Sequence, residues 1–92
     1  MVQLNEEKKQ YIIEFIKNNK PQPLPLIDIK AKKTLKINFN KVHNNEEDFV
    51  IYGSEGHYYT NAFCKINDKL YILTFNMENL ISYADYKNDY EN

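Results

Sequence analysis

The chain has no arginine, no tryptophan, one cysteine and only two glycines. Each shortage removes a class of function. All twelve basic side chains are lysines, so no guanidinium is on offer for bidentate contact with phosphate or carboxylate. The single cysteine, Cys64, cannot close an internal disulfide. That excludes the disulfide framework of small secreted domains and predicts an intracellular, cytoplasmic protein in reducing surroundings. No stretch reaches the ~20 consecutive apolar residues that span a bilayer, so no membrane partner is expected. The first twenty residues carry Glu6, Glu7 and Glu14 where a secretory leader is basic.

The chemical inventory is equally thin. Neither phosphate-cradling glycine loops nor a GxGxxG or GxSxG motif occurs, so nucleotide binding and esterase chemistry have no basis in the sequence. The possible metal ligands are His43, His57, Cys64 and scattered carboxylates, without the spacing of a zinc site. Glu46, Glu47 and Asp48 form an acidic run that reads as a solvated loop. No cofactor, no metal and no catalytic residue is predicted, and the chain is expected not to be an enzyme.

His57 and Cys64 are the one pair that raises nucleophilic catalysis. Such a pair needs the base within hydrogen-bond reach of the thiol. With His57 in a glycine-flanked turn and Cys64 well into a strand, the two lie roughly 20 Å apart at ~3.3 Å per residue. A small thiol among apolar neighbours is ordinarily a core residue. Gly56-His57-Tyr58-Tyr59, followed by Lys69-Leu70-Tyr71-Ile72-Leu73, resembles the histidine box of ubiquitin-specific proteases. The resemblance covers residues 56–76 only. No cysteine precedes His57 to serve as that family's nucleophile, and Thr74-Phe75-Asn76 stand where the family has an acidic pair. What the resemblance implies is a strand–turn–strand geometry, without the activity.

What is present suits one small folded domain. Its 92 residues, 42% hydrophobic and 27% charged, have ordinary globular composition. Eight Tyr and five Phe supply the core with bulk. A chain of this size buries roughly 60–65% of its unfolded surface, enough for one modest core. Charge is polarised. Residues 1–45 hold nine lysines against four carboxylates, and residues 46–92 hold three against nine. Such polarity can steer a partner.

Residues 5–19 predict a helix. Asn5 is a good N-cap, Glu6 and Glu7 occupy the first turn and Lys17 the last, and Tyr11, Ile12, Phe15 and Ile16 make one apolar stripe. Pro21, Pro23 and Pro25 make residues 20–26 an extended connector. From Leu26 to Asn40 the apolar residues alternate with polar ones, which predicts strand. Residues 43–48 read as a loop, 49–52 as a short buried strand and 53–57 as a turn. Residues 58–66 and 69–76 predict two strands joined at Asn67-Asp68. That register sets Cys64 opposite Tyr71 and Ala62 opposite Leu73, with apolar side chains on both faces. Residues 77–92 predict a short helix and an acidic, Tyr-rich tail. The fold expected is α+β: an N-terminal helix packed on an antiparallel sheet of four to five strands spanning residues 27–76, and a short C-terminal helix or tail.

With little chemistry in view, binding is the expected function. The chain has the character of an inhibitor or immunity-type protein, of the kind phage and mobile elements encode against a host nuclease or defence factor. Tyr83, Asp85, Tyr86, Asp89 and Tyr90 are the candidate contact residues for a protein partner with a basic surface, since aromatics anchor and acids steer. The alternative is nucleic-acid binding by Lys30, Lys32, Lys33 and Lys36 on a strand face. A third is a structural, self-assembling subunit, for which a homodimer is the simplest assembly.

Overall fold

The structure, a computed structural model, describes residues 1–22, 29–50 and 59–89, with the backbone alone for 29–32, 34, 50, 59, 88 and 89. In chain order the elements are β1 (Val2–Gln3), α1 (Glu6–Asn18), α2 (Ile29–Phe39), β2 (Glu46–Val50), β3 (Tyr59–Ile66), β4 (Lys69–Asn76), β5 (Asn79–Asp85) and α3 (Tyr86–Asp89). The five strands form one antiparallel sheet in the order β1-β2-β3-β4-β5. The fold is α+β, with an N-terminal helix on a five-stranded antiparallel sheet.

The hairpin of β3 and β4 is the centre of the sheet, and its register follows from its turn. Asn67 and Asp68 both take positive φ, 53° and 61°, the pair of dihedrals a two-residue hairpin turn needs to match strand twist. Cys64 therefore pairs with Tyr71 and Ala62 with Leu73. Period-two alternation then sorts the side chains. Ala62, Cys64, Ile66, Leu73 and Phe75 belong to one buried cluster. Phe63 and Ile72 belong to another on the opposite face. Both faces need a cover.

Helix α1 covers the first. The Asn5 side chain caps it, its Oδ1 accepting from the Lys8 amide at 2.7 Å. Ile12 is completely buried against the sheet, with Ile13, Phe15 and Ile16 packed around it. Tyr83 of β5 ties down the far end. Its hydroxyl donates toward the carbonyls of Asn19, at 2.7 Å, and Ile16, at 3.2 Å, which are among the acceptors a helix terminus leaves unpaired. The chain after α1 then reaches the outer edge of β5, where the Gln22 amide donates to Tyr83 O at 2.8 Å.

Helix α2 covers the second face, and here the expected strand at residues 27–40 is corrected. Leu26 to Asp28 lie outside the described residues, but Ile29–Phe39 is helical. Leu35, Ile37 and Phe39 would share one face of a strand. In the helix Leu35 is 2% exposed, Phe39 packs against the cluster and Ile37 is 57% exposed. Leu35 is buried, Phe39 four residues on is partly buried, and the i+2 residue faces out, as a 3.6-residue period requires. The segment's Lys, Ala and Leu are good helix formers, and the bare face of Phe63 and Ile72 needs a helix.

The C-terminal segment is also corrected. Residues 77–85 were expected to begin a helical tail, yet Met77-Glu78 is a turn and Asn79–Asp85 is strand β5. Phe75 pairs with Leu80 and Thr74 with Ser82, so Ile81 is an extra, bulged residue. The bulge changes phase and lets Leu80 and Tyr83 reach the same cluster. Their i, i+3 spacing imitates a helix. The acidic run 46–48 opens β2 instead of forming a loop. Phe49 is 46% exposed, so this strand is less buried than its apolar letters suggest. Pro23, Pro25, the 53–57 turn and Ile51-Tyr52 lie outside the described residues.

Leu35→Ala should cost about 2–5 kcal/mol of unfolding free energy, the range for a buried large-to-small change. Ile37→Ala should stay within about 0.5 kcal/mol. Denaturant melts of both variants check this; equal losses would restore the strand reading.

Candidate docking groove

The carboxyl-terminal residues proposed as partner contacts are largely structural. Tyr83, Asp85 and Tyr86 are buried. Tyr83 joins α1 to the sheet. Tyr86 stacks on Phe39 with ring centroids 3.6 Å apart, closing the α2 side. Asp85 takes an ion pair from Lys69 at 2.8 Å, and the hydrogen bond to Asp85 raises the Lys69 pKa above the ordinary lysine value. Asp89 lies in α3, where only its backbone is described, and Tyr90 is outside the described residues. The aromatic–acidic sequence that looks like a docking tail is thus in large part the last strand and its closure.

The lysine set sits on α2, not on a strand. Lys33 and Lys36 are exposed there, and Lys30 and Lys32 are described as helix backbone. At 3.6 residues per turn the four positions spread over roughly 160° of the helix circumference, where a strand would have aligned Lys30, Lys32 and Lys36.

Cys64 is completely buried in the α1-side cluster. Burial pushes its thiol up to about 12, the Glu47 carboxylate opposite adds to the shift, and Lys8 offsets part of it. A thiol in this state is not a nucleophile near neutrality. His57 is outside the described residues. Among the described residues no group of three or more His, Cys, Asp or Glu is placed to hold a metal ion.

Among the described residues, hollows open on the surface at two places. One, about 520 Å³, is lined by Phe39, His43, Lys65, Lys69, Asp85 and Tyr86 among others. Its charges include both signs, and the Lys69–Asp85 pair lies within it. The second, about 470 Å³, lies where the first turns of α1 meet β2 and the β4–β5 turn, and is lined by Lys8, Tyr11, Phe49, Phe75 and Met77, with Asn5, Glu7 and Glu78 beside them. This groove differs in its apolar exposure. Tyr11 is 48%, Phe49 46% and Met77 76% exposed.

Local structure explains why these side chains stay out of the core. Tyr11 lies on the flank of the α1 stripe, and its hydroxyl accepts from the Leu80 amide at 3.2 Å, which fixes the ring across the groove. Met77 occupies the turn with φ 57°. Phe49 contacts Phe75 at a centroid distance of 6.3 Å, but short β1 pairs only with Glu46 and Glu47 and stops before reaching it.

Beneath the apolar rim is a charge pair. Glu47 is 2% exposed, and its Oε1 accepts from Lys8 Nζ. The ammonium sits over two rings, 4.8 Å from the Phe49 centroid and 5.5 Å from that of Phe75, a favourable site for a cation. Glu47 Oε2 has no hydrogen-bond partner among the described residues. Sequence reading missed this site because Glu47 looked solvated and nothing in their spacing links positions 8, 49, 75 and 77. The one local signal was period two within β2, which puts Glu47 and Phe49 on one face.

The chain matches no protein-family model, no curated protein and no solved structure.

Two outcomes check this description. Cys64 should resist alkylation at pH 8 in the folded protein and react on unfolding. Because its folded pKa is raised above 9.0, the unfolded chain loses its thiol proton first, so stability should fall as pH rises from that value, and Cys64→Ala should remove this part of the slope. Lys8→Met should destabilise by roughly 2–3 kcal/mol, below the range for a fully buried pair because Lys8 is partly exposed. Adding Glu47→Leu should recover much of that loss in a double-mutant cycle.

Proposed function

We propose that this protein is a non-enzymatic protein-binding module that docks through the groove between α1, β2 and the β4–β5 turn. The partner surface is a basic segment with an apolar anchor, and the action is occlusion of that segment, as by an inhibitor or immunity-type protein. The observation that carries this reading is the grouping of three exposed large apolar side chains, Tyr11, Phe49 and Met77, around one hollow. Scattered exposed apolar residues need no explanation, but a contiguous set beside a concavity is characteristic of a docking site. Aromatics and methionine are the residue types enriched in such contacts, and methionine adapts its shape to a partner.

Charge selects the partner. Glu7 and Glu78 flank the apolar rim, and Lys8 beside them is committed to Glu47. A basic partner is drawn in and an acidic one repelled. The attraction between exposed charges is screened within ~8 Å at physiological salt, so it governs encounter more than residence.

The test compares tagged wild-type protein with Met77→Asp in capture from lysate of the source cells at low and moderate salt. Met77 is 76% exposed, so the variant should melt within about 0.5 kcal/mol of wild type. A stoichiometric protein held by the wild type and lost by the variant is expected, with Glu78→Lys weakening capture most at low salt. Equal retention by wild type and Met77→Asp would remove the groove. Recovery of nucleic acid or of the chain alone would overturn the protein-binding reading.

A further inference from the structure

We infer that the hollow on the α2 side of the sheet is a second binding site, one that takes a small organic phosphate monoester. It is separate from the docking groove and stands without it. The groove is lined by Phe75 of the α1-side cluster, whereas Phe39, Val42, Leu70 and Tyr86 of the α2-side cluster line the hollow.

The hollow has the size of a small-molecule site. Its volume is about 520 Å³, inside the ~300–1,000 Å³ range of ligand clefts, which pair apolar walls with a few polar groups. Polar residues line it from four places in the chain. His43 follows α2, Lys65 is on β3, Asp68 is in the β3–β4 turn and Lys87 is on α3. Lys65 is the central one. It lies two residues beyond Phe63, so period two puts it on the α2-side face, and its cross-strand partner Leu70 also lines the hollow. A half-buried lysine on such a face covers apolar surface with its stem and keeps its ammonium at an opening. The opening that Lys65 lines is this hollow.

Charge decides what the hollow takes. Lys69 is committed to Asp85 at 2.8 Å, and that pair cancels. Lys65 and Lys87 make no ion pair among the described residues. Glu46, opposite Lys65 in the register, accepts from the His43 amide through Oε2 at 3.2 Å. At the hollow itself two lysines and a histidine stand against the single carboxylate of Asp68. A phosphate monoester carries about −1.5 to −2 charge near neutrality on three acceptor oxygens, so both lysines can donate to it at once. Lysine binds phosphate as a point charge and needs no guanidinium. A carboxylate or a sulfate ester brings less charge to the same cations. An organic body on the phosphate covers the apolar wall that the bare ion leaves open.

The experiment titrates the full chain, just above neutral pH and at physiological ionic strength, with phenyl phosphate, phenyl sulfate, inorganic phosphate and phenol. Amide NMR shifts at Lys65, Leu70 and Lys87 are the readout. Saturable shifts are expected from phenyl phosphate, with phenyl sulfate and inorganic phosphate at least about fivefold weaker and phenol weaker still. Lys65→Met and Lys87→Met should each weaken phenyl phosphate by about fivefold or more. Lys87 is exposed, so its variant keeps the test readable if Lys65→Met disturbs the sheet. Asp68→Asn suits the positive φ of that turn and removes the opposing charge, so it should tighten binding roughly twofold. Lys17→Met takes the same charge from exposed α1, outside the hollow, and should leave the affinity within about twofold. Equal binding of phenyl phosphate and phenyl sulfate, or a loss in Lys17→Met as large as in Lys65→Met and Lys87→Met, would overturn the inference. So would the absence of saturable shifts with phenyl phosphate. A 5′-phosphorylated oligothymidylate that bound where phenyl phosphate did not would overturn it in favour of nucleic acid. None of these outcomes bears on capture through the groove.

Discussion

The fold depends on a hairpin that is apolar on both faces. Phe63 and Ile72 point one way from β3 and β4, and Ala62, Cys64 and Leu73 the other. Burying a side chain the size of Phe or Ile is worth about 1.5–3 kcal/mol, so neither face can be left in water in a domain whose net stability is only a few such units. Placing α1 on one side and α2 on the other answers this constraint. Both helices are inserted between β1 and β2, which are neighbours in the sheet despite their separation in the chain. An N-terminal strand of two residues is enough to anchor that insertion, since Leu4 follows it directly into the core.

The groove is a by-product of the same arrangement. Helix α1 covers the middle of its face, but β1 pairs with Glu46 and Glu47 and ends before Phe49. Tyr11, Phe49 and Met77 are left exposed there. Into this half-covered region the fold places Lys8 and Glu47. Desolvating both charges opposes their attraction, and the balance is close in a partly buried site. Two phenyl faces and a partly exposed lysine make the pair tolerable, while the second carboxylate oxygen meets no described residue. Stability alone would favour an apolar pair in these positions. That contrast is what separates the groove from the mixed-charge hollow beside Tyr86, whose charges include the Lys69–Asp85 pair.

Much of the architecture was legible because its signals are local. The Asn5 cap, the acidic first turn and the Ile12 stripe specify α1 between residues 5 and 16. Asn67-Asp68 specifies the hairpin and, through it, every pair in the register of β3 and β4. The misreadings have a common form. Apolar residues at 35, 37 and 39 satisfy a strand completely and a helix in part, and only the exposure of Ile37 distinguishes them. Leu80 and Tyr83 have helical spacing because a bulged Ile81 lies between them. Tyr83, Asp85 and Tyr86 read as contact residues from their chemistry and are buried in the fold, since a tyrosine beside an aspartate reads the same whether it faces water or closes a core.

The sequence by itself determined the fold class, the first helix, the central hairpin and the need to cover two faces. Those follow from capping, turn dihedrals and side-chain periods, whose physics acts over a few residues. The tertiary structure alone decided that residues 29–39 are a helix, that Glu47 is buried against Lys8, and that positions 8, 11, 49, 75 and 77 meet around one groove. Each of these turns on which surface remains uncovered once the other elements are in place. That is a property of the packed sheet, and no short stretch of the chain carries it.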